Sequence, residues 1–439
     1  MIKNDKINNV IIKFSFLLSC IYIIIQFVDS IFFFPINLGD EWYFTRDLNY
    51  FLKHGYYDSV IRGISIPFTL LSSFIHFFLS DISISLRFAN AGVVFLLFLY
   101  LLLRKDLLKN NNKLVFATHA LVLIGTTGGI FYGTNDSFLF ISYFILCSET
   151  YLYLKRIEIN KFFLVIIFSI CILSRPHFLI YFPILFFSLY TVLFFRDGLN
   201  KKNFFNPILL SFFTSFLIVL LFNYPKLLEN NFSHSQGDYL PEFLFFSYSD
   251  KSDTYKTEDK GFNWIQWCFY SQMVSENKKF GLFAPFVDWE DVRKYKLKND
   301  SLPLPNSYQE YIFKYPSFVF KRIPFSFIEV FFYSLRYVGI LLIFIPFCLI
   351  FSDYKKYINF SIFIIILTFT GIFLWAVIMP NSIAQQRLMP FYLMLLILAT
   401  DKKLFISNNF NKSIVILNLI IVDLVVSYAF FKWGIFRSL

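Results

Sequence analysis

Residues 10–44 read VIIKFSFLLSCIYIIIQFVDSIFFFPINLGDEWYF, an apolar run that leads directly into a pair of carboxylates. A membrane-spanning helix needs ~20 mostly apolar residues at a rise of ~1.5 Å per residue, and residues 10–34 satisfy that requirement. The run is too long for a cleaved signal peptide and lacks a small-residue cleavage site. We therefore predict a transmembrane helix over 10–34, followed by Asp40 and Glu41 at the membrane surface.

The rest of the chain is similarly apolar. Of its 439 residues, 57% are hydrophobic and 16% are charged, whereas about a quarter are charged in soluble domains. A soluble domain of this size could not bury so much apolar surface in one core. The fold class that we predict is an all-α polytopic membrane protein with about nine to eleven transmembrane helices. The further candidate spans are 88–103, 114–133, 137–154, 162–174, 177–195, 204–223, 328–352, 357–379, 388–400 and 413–431.

The basic residues indicate an orientation. The formal net charge of +11 would suggest nucleic acid in a soluble protein, but here Lys and Arg cluster in every second short connection. Such clusters mark cytoplasmic loops, so we expect a cytoplasmic N-terminus and no nucleic-acid partner. The clusters are Lys3 to Lys13, Arg104 to Lys113, Lys155 to Lys161, Arg196 to Lys202, Lys355 with Lys356, and Lys402 with Lys403.

The remaining connections are then extracytoplasmic, and two of them, 35–87 and 224–327, are large. Residues 67–79 within the first are apolar but too short to span, which predicts a helix lying in the membrane interface. The predicted organisation is a transmembrane module over 1–223, an extracytoplasmic loop over 224–327, and C-terminal transmembrane helices over 328–439.

Three carboxylates are candidates for chemistry on the extracytoplasmic side. Asp40 and Glu41 follow the first span directly, and Asp136 begins the fourth. A carboxylate at that depth is costly and tends to be functional, for example as a base for a sugar hydroxyl or as a ligand of a divalent cation. The structural alternatives are an ordinary polar loop start for the pair and a helix cap for Asp136.

Two arginines at membrane-facing breaks are candidate phosphate ligands. Arg175 lies between two apolar runs, and Arg387 enters an apolar helix. A guanidinium there needs an anionic partner, and its planar fork suits phosphate. The alternative for Arg175 is contact with lipid headgroups, and His177 reads as a structural polar group. Further candidate substrate or phosphate ligands in the first loop are His54, Tyr56 and Arg62.

In order and sidedness these residues resemble the GT-C superfamily of integral-membrane glycosyltransferases. Asp40-Glu41 with the aromatic Trp42-Tyr43-Phe44 is similar to the acidic pair that follows the first helix in that family. The resemblance covers most of 1–225 and again 380–400. The other matching elements are His54-Gly55-Tyr56, Ile66-Pro67, Asp136, Arg175-Pro176 and Arg387 to Pro390.

This resemblance implies a polyprenyl-phosphate sugar donor, a glycan or glycolipid acceptor and inversion at the anomeric carbon. Asp40 would deprotonate the acceptor hydroxyl, while Glu41 and Asp136 would position hydroxyls or hold a divalent cation. Arg175 and Arg387 would neutralise the departing phosphate. Size and composition further resemble bacterial serotype-converting glucosyltransferases, which implies a hexose such as glucose, an O-antigen acceptor in lipopolysaccharide, and a periplasmic site on the inner membrane.

Two other classes stay open. An O-antigen polymerase or ligase is also a Phe- and Ile-rich polytopic protein, although an acidic pair directly after the first span is not expected of it. A polysaccharide flippase or transporter should show internal repeats and charges at mid-membrane. The main charges inside apolar runs are Glu149 and Asp423, and the sequence offers neither a clear partner.

Overall fold

The computed structural model describes residues 2–33, 41–109, 111–126, 131, 133–174, 179, 181–198, 204–229, 313, 316–350, 358–378, 388–401 and 409–433. Within these ranges the chain forms fifteen α-helices and one π-helical turn. The described residues contain no strand; an isolated bridge joins Asn111 and Asp401. The predicted all-α class is thus confirmed for the described residues, while the number of spans stays a prediction.

Most helices coincide with predicted apolar runs, whereas the helix Glu41–Arg62 lies in the predicted first loop and the helix Pro316–Val338 begins inside the predicted loop over 224–327. They are α1 Ile2–Val28, continued by the π-helical turn Asp29–Phe33, α2 Glu41–Arg62, α3 Ile66–Leu79, α4 Ile82–Leu103, α5 Lys113–Thr126, α6 Asp136–Leu154, α7 Lys161–Ser174, α8 Tyr181–Asp197, α9 Pro207–Phe222, α10 Tyr224–Leu228, α11 Pro316–Val338, α12 Leu341–Ile350, α13 Ile358–Ile378, α14 Met389–Ala399 and α15 Asn409–Trp433. Three described segments, Asn8–Phe33, Ile82–Leu103 and Asp136–Leu154, are long and apolar enough to cross a membrane.

One predicted span is interrupted. The run over 328–352 becomes α11 and α12 because Gly339 adopts φ +62 between them. The Asn418 side chain of α15 accepts a hydrogen bond from the Ile340 backbone N–H at 3.0 Å and fills the space beside Gly339. A Cβ at that glycine would lie 2.0 Å from the Asn418 oxygen, so the break depends on this glycine.

The chain divides into two compact units, one of 1–232, 334–371 and 385–439, the other of 233–333 and 372–384. In the first unit α6 and α14 are the central helices. Every residue of α6 except Tyr153 is buried, as is every residue of α14. Tyr143 of α6 packs on Phe391 of α14 with ring centroids 5.7 Å apart. In the second unit, Phe327 stacks on Phe331 at 6.2 Å.

In the first unit, the helix ends that adjoin basic clusters lie together at one end of the helices. Arg104, after α4, donates to the Glu158 carbonyl between α6 and α7, and Arg196 of α8 donates to the Leu154 carbonyl at the end of α6, each at 2.7 Å. Asn112, before α5, donates to the Thr400 carbonyl after α14 at 2.9 Å. We call this the basic end, because four of the basic clusters adjoin it. The opposite, carboxylate end holds the starts of α2, α4 and α6 and the end of α7.

Candidate functional site

Glu41 is the first residue of α2 and lies at the carboxylate end of the first unit. A chain of aromatic rings fixes the start of this helix. Phe44 of α2 meets Phe68 of α3 edge-on at 5.2 Å, and Phe68 in turn meets Phe138 of α6 at 5.7 Å. Such edge-to-face pairs add to the apolar burial of each ring. They bring the first turn of α2 and the first turn of α6 together.

The Glu41 carboxylate forms an ion pair with Arg87 of α4. Nη2 of Arg87 lies 2.9 Å from Oε2, and Nε lies 3.1 Å from Oε1. A third donor, Nη1 of Arg87, reaches the Ile31 carbonyl of the π-helical turn at 3.3 Å. The two side chains are 0% and 1% exposed. This arrangement is a buried, two-pronged arginine–carboxylate contact, the strongest geometry that such a pair adopts.

The loop before α6 closes over Glu41. A Cβ built on Gly133 would lie 2.6 Å from Cγ of Glu41, so only glycine lets the loop approach this closely. Asn90 of α4 holds the same loop, since its amide donates to the Thr134 carbonyl at 2.7 Å. Asn90 also accepts a hydrogen bond from the Ser137 hydroxyl. The loop, α2 and α4 thus form one rigid cradle around the acidic side chain.

Asp136 lies at this same end. It is the first helical residue of α6, 7% exposed, and it accepts a hydrogen bond from the Thr134 hydroxyl at 3.3 Å. The N-cap position itself belongs to Asn135, whose side chain makes no capping bond. Instead the Asn135 amide donates to the Ser174 carbonyl at 2.7 Å, which ties the end of α7 to the start of α6. Asp136 therefore favours the helix through its charge in the first turn.

The other described candidates lie elsewhere on α2. His54 follows Glu41 in one helical segment that continues to the break at Gly55, which separates them by about 20 Å at ~1.5 Å per residue. His54 stacks on Tyr50 with ring centroids 4.2 Å apart. The Arg62 guanidinium lies over the same Tyr50 ring, 4.3 Å from its centre. The structure therefore does not bring His54 to the Glu41 cradle.

Tyr56 has a structural contact. Its hydroxyl donates to the Phe222 carbonyl at the end of α9 at 2.6 Å, and its ring stacks on Tyr224 of α10 at 6.2 Å. Burial, with a smaller contribution from Tyr224, raises the pKa of Tyr56 to about 12. The phenol therefore stays protonated near neutral pH. Its contacts hold α2 against α9 and α10, and they leave the predicted substrate contact of Tyr56 without direct support.

The described residues offer little to a metal ion. No group of three or more His, Cys, Asp or Glu side chains within the described ranges could hold one. Because the Glu41 carboxylate already accepts from two nitrogens of Arg87, its charge is neutralised and it does not fit the predicted alternative of a cation ligand. The other predicted site residues, Asp40, Arg175 and Arg387, lie outside the described residues.

Sequence reasoning missed the partners of three acids. Arg87 is the last residue of the predicted outer loop 35–87, and its role as the partner of Glu41 was missed. The available signal was that an arginine next to an apolar run needs an anionic partner, and Glu41 belongs to the same predicted loop. Glu149 of α6, which seemed to lack a partner, accepts from Arg104 at 2.8 and 2.9 Å and from the Tyr100 hydroxyl at 2.8 Å. Asp423 of α15 accepts a hydrogen bond from the Ser15 hydroxyl of α1.

No family model, curated protein or solved structure gives a significant match to this chain.

Proposed function

We propose that this chain is an integral-membrane glycosyltransferase that moves a sugar from a polyprenyl-phosphate donor to a glycan or glycolipid acceptor. The observation that carries the proposal is the buried ion pair between Arg87 and Glu41, the residue that follows Asp40 in the sequence, at the same end of the helices as Asp136. An ion pair that is 0% and 1% exposed is an expensive way to hold a helix. It is reasonable where the start of α2 must be held rigidly for chemistry.

In this proposal Glu41 and Arg87 are positioning residues. Glu41 is engaged by a guanidinium and therefore does not serve as the base, which leaves that role to Asp40. Asp40 takes the proton of an acceptor hydroxyl, and the oxygen attacks the anomeric carbon of the donor sugar. The bond from that carbon to the phosphate oxygen breaks, and polyprenyl phosphate leaves with the electron pair. Attack opposite the leaving group inverts the anomeric carbon.

Asp136 would hold hydroxyl groups of the sugar or the acceptor, since it begins α6 at the carboxylate end. Arg175 follows Ser174, which is tied to Asn135 beside Asp136, so it is the proposed phosphate ligand together with Arg387. The proposed setting is a bacterial inner membrane crossed about nine to eleven times, with the carboxylate end on the periplasmic side. A hexose such as glucose and an O-antigen acceptor are the proposed substrates.

The proposal is tested by mass spectrometry of cell-surface polysaccharide from cells expressing wild type, Asp40→Asn, or no protein. We expect one extra sugar per repeat with wild type alone, because the amide cannot accept the hydroxyl proton. Asp58→Asn is the matched control, since Asp58 is an exposed aspartate on α2, the helix that begins one residue after Asp40 in the sequence. It should leave the extra sugar in place.

Other results would redirect the assignment. An unchanged repeat mass with a collapse in chain length would identify a polymerase or ligase. Substrate flux in liposomes without any new glycosidic bond would identify a transporter. Full transfer by Asp40→Asn would remove Asp40 as the base.

A further inference from the structure

Three buried side-chain oxygens at the carboxylate end have no hydrogen-bond partner among the described residues. They are Oγ of Ser65, Oδ1 of Asn135 and Oγ of Ser174. The three residues are 2%, 0% and 1% exposed, so water from outside the protein does not compensate for the missing partners. Folded proteins pair almost all of their buried polar groups, because an unpaired one destabilises the fold. These oxygens therefore point to a group that pairs with them when it is bound.

Asn135 and Ser174 are held next to each other. The Asn135 amide donates to the Ser174 carbonyl at 2.7 Å, which joins the start of α6 to the end of α7. Because a carbonyl oxygen only accepts hydrogen bonds, this contact identifies the amide atom that binds it as the nitrogen and leaves Oδ1 as the unpaired atom. Asn135 is also the N-cap residue of α6, but its side chain makes no capping bond. Its oxygen is thus available to a ligand.

Ser65 belongs to the same junction of helix ends. It is the N-cap residue of α3, and its side chain makes no capping bond either. The starts of α3 and α6 are in contact, since Phe68 and Phe138 meet edge-on with ring centroids 5.7 Å apart. The last turn of α7 packs, through Leu173, against the apolar cluster that includes Ile66, the residue after Ser65. All three unpaired oxygens therefore lie where the starts of α3 and α6 meet the end of α7.

The unpaired atoms determine the chemistry of the ligand. Oδ1 of asparagine only accepts hydrogen bonds, so the group beside it must donate one. A serine hydroxyl both donates and accepts, and it can therefore pair with the same group. A hydroxyl group meets these conditions, whereas a fully ionised phosphate has no proton to donate. The three side chains are also uncharged and buried, which favours a small neutral group over an ion.

We propose that Ser65, Asn135 and Ser174 form a subsite for a hydroxyl group of the donor sugar. The inference rests on the proposed transferase function, which supplies that sugar. Ser174 directly precedes Arg175, the proposed phosphate ligand, and the donor sugar is bonded directly to the phosphate. A sugar whose phosphate is held by Arg175 therefore comes next to the subsite. Buried groups that pair with a substrate hydroxyl discriminate against an analogue that lacks it, because they are then left unpaired.

The test uses the full chain in phosphatidylcholine nanodiscs and a probe, glucosyl phosphate carried on a short prenyl chain. Thermal unfolding with and without the probe gives affinity and stability. Ser174→Ala should weaken binding by about two- to tenfold, as for one lost hydrogen bond. It should not lower the unfolding temperature without probe, because the deleted hydroxyl had no partner. Ser169→Ala on the same helix is the matched control: its buried hydroxyl donates to the Val165 carbonyl at 2.7 Å, so this variant should lose stability and keep its affinity.

Monodeoxy versions of the probe identify the hydroxyl that is bound. With one of them Ser174→Ala should cause no further loss of affinity, since the hydroxyl that Ser174 would bind is already missing. Ser65→Ala gives the same comparison if Ser174→Ala folds poorly. Additive losses with every deoxy probe, or wild-type affinity in both serine variants, would mean that buried water alone pairs with these oxygens, and either result would overturn the subsite.

The outcomes also separate the subsite from the transferase function. Sugar transfer by wild type, together with unchanged probe affinity in both serine variants, would remove the subsite and keep the transferase. Weaker binding in both variants, in a chain whose wild type binds the probe but transfers no sugar, would keep the subsite and remove the transferase. Failure of wild type to bind the glucosyl probe would overturn the subsite.

Discussion

Two arginine–glutamate pairs hold opposite ends of α4, and they differ in how much water each retains. At the carboxylate end Arg87 and Glu41 are 1% and 0% exposed; at the basic end Arg104 and Glu149 are 26% and 2% exposed. The two arginines are about 25 Å apart along the helix. Each also donates to a carbonyl of a third segment, that of Ile31 for Arg87 and that of Glu158 for Arg104.

The difference in exposure implies a difference in desolvation cost: burying the Arg87–Glu41 pair costs free energy, whereas the Arg104–Glu149 pair avoids much of that cost. Removing two charges from water costs several kcal/mol per ion, and a buried pair seldom exceeds its apolar replacement in stability. Arg104 keeps part of its hydration and so avoids much of that cost. Full burial of Arg87 and Glu41 is better explained by a need to fix the first turn of α2. We therefore interpret the Arg104–Glu149 pair at the basic end as a structural contact, and the Arg87–Glu41 pair at the carboxylate end as one that positions the start of α2.

The largest expected effect is that of replacing each arginine by leucine. Arg87→Leu leaves the Glu41 carboxylate buried without a cation, which should lower the free energy of unfolding by about 3–5 kcal/mol. Arg104→Leu should cost less, because water reaches this pair and the Tyr100 hydroxyl still donates to Glu149 at 2.8 Å. Thermal unfolding of both variants in the same detergent measures the difference.

The double variant Glu41→Leu with Arg87→Leu sharpens this result. It removes both charges, so stability should return toward wild type while the proposed sugar transfer stays lost. Recovery of transfer together with stability would mean that the pair merely holds the fold. Equal destabilisation by the two single arginine variants would remove the distinction between the ends.

Much of the helical framework could be predicted from the sequence, because apolar runs near helical length leave few alternatives. The run over 137–154 became α6, Asp136–Leu154, and the interfacial candidate 67–79 became α3, Ile66–Leu79. The break at Gly339 could not be predicted, since it depends on Asn418, which is distant in the chain and packs beside it. Local pattern fixes helix existence, whereas such breaks depend on tertiary contacts.

The candidate site was predicted only in part. Glu41 and Asp136 lie at the same end of the helices, and the predicted extracytoplasmic location of that end stays a prediction. The roles of Arg87 and Gly133 depend on which helices become neighbours, and hydrophobic pattern does not encode this. Conversely, sequence proximity grouped His54 with Glu41 on one loop, although the straight first segment of α2 separates them by about 20 Å.

A smaller effect is expected from Gly133→Ala, which tests how tightly the carboxylate end is packed. The added Cβ would lie 2.6 Å from Cγ and 3.0 Å from Cδ of Glu41, a side chain that Arg87 prevents from moving. We expect a loss of about 1–3 kcal/mol in stability, measured by thermal unfolding, with a larger proportional loss of transfer. Gly92→Ala on α4 is the control, since nothing lies within 4 Å of its Cβ. A stable, fully active Gly133→Ala would mean that the cradle is not rigid.

The smallest effect should come from Tyr100→Phe at the basic end. The variant removes the hydroxyl that donates to Oε1 of Glu149 at 2.8 Å, but it keeps the ring stacked on Phe163 at 6.3 Å. Because Arg104 still donates twice to Glu149, the carboxylate remains compensated, and the loss should be about 1 kcal/mol. Thermal unfolding and a transfer assay on the same sample measure both quantities, and transfer should not change. A marked loss of transfer at nearly unchanged stability would place function at the basic end, and the contrast between the two pairs would then have to be reversed.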